Sequence, residues 1–517
     1  MVPTRNKHLN QALMRIARRA ESTDRSTLAT TYVAAGSFAA VLNSTDHQIL
    51  YGRRGTGKTH ALLYLSDLID SAGDVFVYVD LRTIGSAGGL YADSALNSTV
   101  RGTHLLVDTL EVIHEELLTI AVERGVADQD GLLRALDLLV DAATAVKVVG
   151  EVERETTLAG ATETTDGLRL NLSARPAAEA ATTRKRSLSA GVRLRRTGIE
   201  QHHVLFGRLS RALRAVTESL GRARLWLLLD EWSSIPLDLQ PLLADLLRRG
   251  VLPVTGITVK IAAIERRSRF YVPMGGDYLG IEVGADAAAA VSLDDFMIFD
   301  HARNRAEEFF GQLFYNHADA KLSSMIRNRP PDADAFVTET FRGYAFPELV
   351  RAAEGIPRDA INIAALAAQH ANDQAIGIAD VRRAARDWYL RDKQTAINAN
   401  EPARRMLQVL VDEVVGRRRS RTFVVEQSSG SHHEGIDTLY DARLLHVLRR
   451  GIVDRQNPGK VYDGFAVDYG CYVALLLDGR PQTRFRDKGG WLTSPKSVPT
   501  EDFSLARTEV DLNALEP

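Results

Sequence analysis

Apolar residues along this chain fall into two alternating rhythms. Runs of period two, or unbroken, read as strands: Ile49–Tyr51, Asp74–Leu81 (DVFVYVDL), Leu225–Leu229 (LWLLL) and Gly256–Ile264 (GITVKIAAI). Five consecutive apolar residues at 225–229 suit a strand buried on both faces of a parallel sheet. Between them, spacings of three and four predict helices. Leu9, Leu13, Ile16 and Ala17 mark one near the start, and Leu62, Leu63, Leu65 and Leu68 mark another over His60–Ile69. Further patterns cover His104–Arg124, Gly131–Ala145, Leu237–Arg249 and nearly all of His301–Ala396, broken at Arg329–Pro331 and Gly355. Strands separated by helices define an α/β core with a parallel sheet. The long helical run after it reads as a smaller helical unit.

The last third changes again. Ala403–Val415 reads as a helix, Phe423–Val425 as a short strand and Leu439–Arg450 as a second helix. A hairpin follows, from Ile452–Arg455 through the turn Asn457–Lys460 to Val461–Val467. That order has the form of a winged helix. The predicted helix offers Asp441, Arg443, His446, Arg449 and Arg450 on its polar side, for base edges or for a partner protein. After Gly479 periodicity is lost.

Length and composition narrow the picture without deciding it. A chain of 517 residues is too long for one core. Its formal net charge of -2 gives no global field favouring nucleic acid or membrane. A single cysteine, Cys471, rules out an internal disulfide and a cysteine zinc cluster. The polar, basic start lacks a signal-peptide core, and no apolar run is long enough to span a bilayer. These features together predict a soluble cytoplasmic protein. The adjacent pairs His202-His203 and His432-His433 are poor metal signals, since neighbours on one element face different ways.

Candidate chemistry lies at the first strand–helix junction. Gly52-Arg53-Arg54-Gly55-Thr56-Gly57-Lys58-Thr59 fits GxxxxGK[ST], with a strand before it and a helix after it. Glycines let backbone N–H groups curl around a polyphosphate, and the helix presents its positive end to the same anion. Gly52, Arg54, Gly55, Thr56, Gly57, Lys58, Thr59 and His60 are the candidate nucleotide contacts. Lys58 reaches the outer phosphates and the Thr59 hydroxyl can ligate Mg²⁺. Asp230, at the carboxyl end of the apolar strand, is the second metal candidate. Glu231 beside it is the candidate base that polarises the attacking water.

The distance from Lys58 to Asp230 exceeds what one crossover needs, so about 84–200 is an insertion. From Glu155 to Gly191 it is rich in Thr, Ala, Ser and Gly. Leu168, Leu170 and Leu172 alternate, as do Leu188, Ala190, Val192 and Leu194, which suits either a ragged β-ribbon or a loop. Between Arg184 and Arg196 stand six basic residues and no acidic one: Arg184, Lys185, Arg186, Arg193, Arg195 and Arg196. Arg193 and Arg195 would share one face of a ribbon, as a phosphate contact or a solvated surface. Arg417, Arg418 and Arg419 form a second basic loop, with Arg443 and Lys460 as further nucleic-acid candidates.

On the GRRGTGKT loop, the LLLDE strand and Gly355-Ile356-Pro357-Arg358, the chain resembles the AAA+ ATPases. The resemblance is to their origin-recognition and cell-division-cycle initiator type, a group that also includes prokaryotic ATPases of antiviral defence and mobile-element systems. It implies an ATPase core over 47–300, a helical lid over 301–398 and a winged-helix domain over 399–480. Helices over 1–46 would lead in and an irregular tail over 481–517 would follow. It implies ATP and Mg²⁺ as cofactors and a homo-oligomer, with DNA or a separate effector protein as partner and no membrane. Hydrolysis would be slow, with a nucleotide-held oligomerisation switch and a non-catalytic adaptor as the other readings. Arg358 matches the family's second sensor, at the first turn of a helix where the dipole does not favour a cation and a nearby anion would; the other reading is a solvent-facing arginine paired with Asp359 or Glu354. The chain departs at the first sensor: Glu265 stands where a polar Asn, Ser or Thr is usual. Arg266, Arg267 and Arg269 follow it. Arg267 is the candidate finger or sensing arginine, against a plain basic surface turn.

Overall fold

A computed structural model describes residues 5–20, 23–33, 38–84, 97–123, 126–143, 146–149, 199–202, 205–293, 303–322, 328–418, 420–427, 434–453, 459–477 and 510. The segment holding Arg193 and Arg195, Arg419, and the tail beyond 510 lie outside them.

Among these residues the central sheet is built from β1 (Gln48–Tyr51), β2 (Val75–Asp80), β5 (Leu225–Asp230), β6 (Ile257–Ala263) and β9 (Ala288–Ser292), in the order β2-β5-β6-β1-β9 with every pair parallel. Period-two geometry splits its side chains between two cores. Leu225, Leu227 and Leu229 face one layer with Ile49, Val77, Val259 and Ile261. Trp226 and Leu228 face the other with Leu50, Ala61, Leu62 and Leu65 of the helix Lys58–Ser71. Both faces of β5 are therefore covered, which explains its unbroken apolar run. Each fully buried leucine contributes about 1.5–3 kcal/mol.

The inserted helices are Ser98–Glu123 and Gln129–Ala143, and both bury their apolar stripes in the first core. β3 (Val146–Val149) and β4 (Ile199–His202) then pair antiparallel, with Val149 opposite Ile199. The alternating leucines of the predicted ribbon fall between them, outside the described residues. A two-residue Gly275-Gly276 turn joins β7 (Tyr271–Met274) to β8 (Asp277–Gly280).

A second, helical core comprises Arg303–Leu322, Ala333–Thr340, Ala345–Ala353, Pro357–Ala371 and Ile378–Trp388. The first helix, Arg5–Met14, packs here through Leu9, Ala12 and Leu13, whereas Phe38 and Leu42 pack on the sheet. The described residues before β1 thus pack on both units, the helix Arg5–Met14 on the helical one and Phe38 and Leu42 on the sheet.

The third core is the carboxyl-terminal unit: helix Glu401–Leu410 with its π-helical extension to Arg417, and the sheet β10-β12-β11. Its strands are β10 (Thr422–Glu426), β11 (Leu445–Val453) and β12 (Val461–Val467), all antiparallel. One sequence expectation is corrected here. Leu439–Arg450 is not one helix: the helix Glu434–Asp441 stops, Arg443 takes a positive φ of 61°, and β11 begins at Leu445. The predicted recognition surface of Arg443, His446, Arg449 and Arg450 therefore does not exist as a helix face. The hairpin after it is present. Among the described residues no helix is long and apolar enough to cross a membrane.

Candidate nucleotide site

β1 ends at Tyr51 and the chain turns through the glycine loop before the helix starting at Lys58. Gly55 and Gly57 hold positive φ of 85° and 97°, which glycine adopts without steric cost. A Cβ on Gly55 would stand 2.6 Å from Cβ of Arg358, so glycine is also needed for that close approach. Loop and lid touch again where the Arg358 N–H donates to the Gly55 carbonyl at 3.1 Å. The Gly52 N–H donates to Ala263 at the end of β6 (3.2 Å), fixing the loop to the sheet's carboxyl edge.

In this arrangement the loop closes on itself. Lys58 Nζ donates to the carbonyls of Gly52 (2.7 Å) and Arg53 (3.0 Å), and the Thr56 hydroxyl donates to Arg53 at 2.9 Å. Glu354 ends the preceding lid helix with φ 51°, Gly355 follows at 74°, and Pro357 opens the next helix, which places Arg358 in its first turn. The acids beside Arg358 are engaged elsewhere. Glu354 pairs with Arg421, and Asp359 pairs with Lys393 (2.9 Å) and Arg443.

One cavity of about 340 Å³ collects most of the candidates. Arg54, Gly55, Gly57, Lys58, Thr59, His60, Glu231 and Arg358 line it. Gly52 and Thr56 form the loop beneath. Arg18, Arg19 and Arg82 also line it, as do Leu313, His317 and Ile361 of the lid. The sequence reading missed these. Arg18-Arg19 directly after an amphipathic helix was the available signal. Among the described residues, Arg18, Arg19, Arg54, Lys58, Arg82 and Arg358 set a strongly positive field against one lining carboxylate, Glu231, which suits a polyanion. At the other end, His60 and His317 meet edge to face at 6.0 Å beside Leu313 and Ile361. Burial holds both imidazoles below their ordinary value, His317 at about 4, so that end is a neutral, largely apolar pocket suited to a flat heterocycle. His60 also reaches the Leu28 carbonyl at 2.8 Å and so ties the helix Arg25–Thr31 to the helix Lys58–Ser71 that follows the loop.

Asp80 and Asp230 stand opposite each other at the ends of β2 and β5. Asp230 is buried, accepts from the Tyr78 hydroxyl (2.8 Å) and takes the Glu231 N–H at 2.8 Å. Glu231 has φ 58°, an uncommon backbone for a residue with a side chain and one often found at functional sites. Burial first, then the Asp230 charge, raises its pKa, while Arg82, 3.8 Å away, opposes the shift. A hydroxyl, a carboxylate and room for phosphate oxygens form the hard donor set that magnesium takes, with water completing its shell. Thr59 and Asp230 are the residues of this chain that fit that role.

The remaining candidates go elsewhere. Arg267 pairs with Asp441 of the carboxyl-terminal unit at 3.1 Å and does not line the cavity. Glu265 pairs with Arg450. Arg443 is corrected as a nucleic-acid candidate: it is buried, with its guanidinium held by Asp359 and Asp392, out of reach of a phosphate backbone. Arg417 and Arg418 share Glu413 (3.1 and 2.8 Å), and Lys460 pairs with Glu426 at 3.0 Å.

Sheet, glycine loop and acidic strand end together define an α/β protein of the P-loop architecture. Solved structures similar to this chain include a Cdc6p and an Orc1 protein. Cdc6p from Pyrobaculum aerophilum is 12% identical, with a TM-score of 0.30 over 89% of this chain and 99% of that one. The Orc1 protein of Aeropyrum pernix, in complex with DNA, is 14% identical, with a TM-score of 0.30 over 89% and 97%. No protein-family model and no curated protein matches the chain.

Proposed function

We propose that the chain is an ATPase that binds ATP with Mg²⁺, hydrolyses it slowly and couples nucleotide state to the arrangement of its lid and carboxyl-terminal unit. The observation that carries this reading is the convergence of Lys58, Thr59, Glu231 and Arg358, from three distant parts of the chain, on one positive cavity. Lys58 would exchange its two carbonyl partners for the outer phosphates. Arg358, on the lid, would meet the terminal phosphate and make lid closure depend on it. Glu231 would accept a hydrogen bond from the attacking water and orient it. Magnesium held through Thr59 and Asp230 would neutralise charge on the phosphate oxygens.

Titration calorimetry with ATP and magnesium tests this. Wild type should bind, Lys58→Ala should lose at least roughly a hundredfold in affinity, and Glu231→Gln should bind yet not turn over. Absence of heat with the wild-type protein would sink the proposal. A second reading, a nucleotide-held oligomerisation switch, is favoured by one feature. Glu265 and Arg267, at the first-sensor position, are tied to Arg450 and Asp441 rather than turned to the cavity. It requires assembly that survives Glu231→Gln and fails with Lys58→Ala, measured by size. DNA or a partner protein is the proposed macromolecular ligand of either form. The exposed Arg417 and the Lys460 hairpin are the first positions to test by salt-dependent binding.

A further inference from the structure

The carboxyl-terminal unit grips the nucleotide loop itself. Arg53 is buried, and its guanidinium bonds Nδ1 of His446 on β11 and the Glu354 carbonyl (3.0 Å) of the lid. Next to it Arg54 lines the cavity and lies 3.7 Å from Oδ1 of Asp441. The other oxygen of Asp441 takes Arg267 at 3.1 Å. Asp441 thus stands between Arg54, which a polyphosphate bound in the cavity would attract, and Arg267, which lies outside the cavity lining. Its position is an uneasy one. It sits at the carboxyl end of the helix Glu434–Asp441, where the helix dipole disfavours negative charge. Its Oδ1 is buried without a hydrogen bond, and 3.7 Å from Arg54 is too long to supply one. A carboxylate so held is readily displaced by an anion that offers better geometry to the same guanidinium.

We propose that Asp441 is a built-in phosphate surrogate: docking of the carboxyl-terminal unit and binding of a nucleoside triphosphate compete for Arg54, with Arg267 released at the same time. This rests on the nucleotide reading of the cavity. In the docked form Lys58 and Thr56 bond the Arg53 carbonyl, so the loop is closed around itself while Asp441 holds Arg54. Triphosphate draws Lys58 and Arg54 inward, the Asp441 contact opens, and the carboxyl-terminal unit loosens. Coupling of this kind is reciprocal, so weakening the dock must tighten nucleotide binding by the same factor.

The test uses the full chain, a fluorescent ATP analogue with magnesium, and labels at Arg222→Cys on the sheet domain and Arg404→Cys on the carboxyl-terminal unit. Cys471 is buried. Asp441→Asn should bind the analogue at least roughly fivefold tighter than wild type. Arg450→Ala removes a dock contact to Glu265, neither residue lining the cavity, and should shift affinity in the same direction. It decides the matter should Asp441→Asn fail to fold. ATP should lengthen the label separation in the wild type and not in Lys58→Ala. Equal affinities for wild type and both variants, with binding still lost in Lys58→Ala, would overturn the competition and leave the nucleotide site standing. No binding by the wild type would overturn both.

Discussion

Glu231 carries the sharpest residue-scale consequence. In the proposed function Glu231 is the base; a base acts only when ionised, and burial, then the Asp230 charge, lifts this carboxyl above its ordinary 4.5. Hydrolysis should therefore fall as pH drops through that raised value, while nucleotide affinity holds. A pH profile of turnover at saturating ATP checks it, and a profile set only by binding would count against Glu231. His317 gives a stability counterpart. Burial, then the nearby His60 and Lys321, lower its pKa from 6.5 to about 4. Between those values the unfolded chain binds the proton and the folded chain does not. The contribution is complete above pH 6.5 and is lost as pH falls toward 4, amounting to about 3 kcal/mol. Denaturant midpoints at pH 7 and pH 4.5 should diverge in the wild type, and His317→Leu should reduce that divergence.

Among elements, β5 is the one most fully written in the sequence. Its unbroken LWLLL run has no amphipathic alternative, and the structure puts all six residues of Leu225–Asp230 in the interior. Leu228→Ala should cost about 2–5 kcal/mol in chemical denaturation, because the packed helix Lys58–Ser71 cannot collapse into the hole without moving the loop. Other elements were not legible, for physical reasons. β9 is largely alanine, a poor strand former, and is a strand because β1 offers it an open edge. β11 looked helical because Leu439, Arg443 and Arg450 keep a helix-like spacing. The positive φ at Arg443, which sequence does not announce for an arginine, turns the chain into the sheet. The glycine loop, its acids and Arg358 were readable because they depend on local motifs. The basic rim and the Asp441 contact arise only when distant segments meet.

At the scale of the whole molecule, the second, helical core and the carboxyl-terminal unit are joined by a buried chain of charges. Lys393 lies between Asp359 (2.9 Å) and Asp468 (2.5 Å), all three essentially inaccessible. Asp468 also meets His446, whose other nitrogen faces Arg53 of the nucleotide loop. Burial opposes the charge on Asp468, but Lys393 and the His446 hydrogen bond outweigh it and hold that carboxyl far below its usual range. Removing the central cation leaves Asp359 to Arg443 and Asp468 to the neutral-leaning His446, with less compensation for two buried acids. Lys393→Met should therefore destabilise by about 3–5 kcal/mol, read by equilibrium unfolding, whereas a neutral outcome would mean water or protons take over its role. The same chain runs from Asp359, next to Arg358, to the nucleotide loop. Strain at the phosphate end would reach all three units.

Val149 and Ile199 stand opposite each other in the antiparallel pair β3–β4. The chain therefore leaves this pair and returns to it at adjacent positions, with the 49 residues 150 to 198 joining them. Replacing them by Asn-Gly, the commonest short hairpin connector, should leave the melting temperature and ATP affinity of the trimmed protein unchanged. Whatever those residues contribute would then appear as a separable loss, and a trimmed chain that no longer folds would show that the β3–β4 pair depends on them.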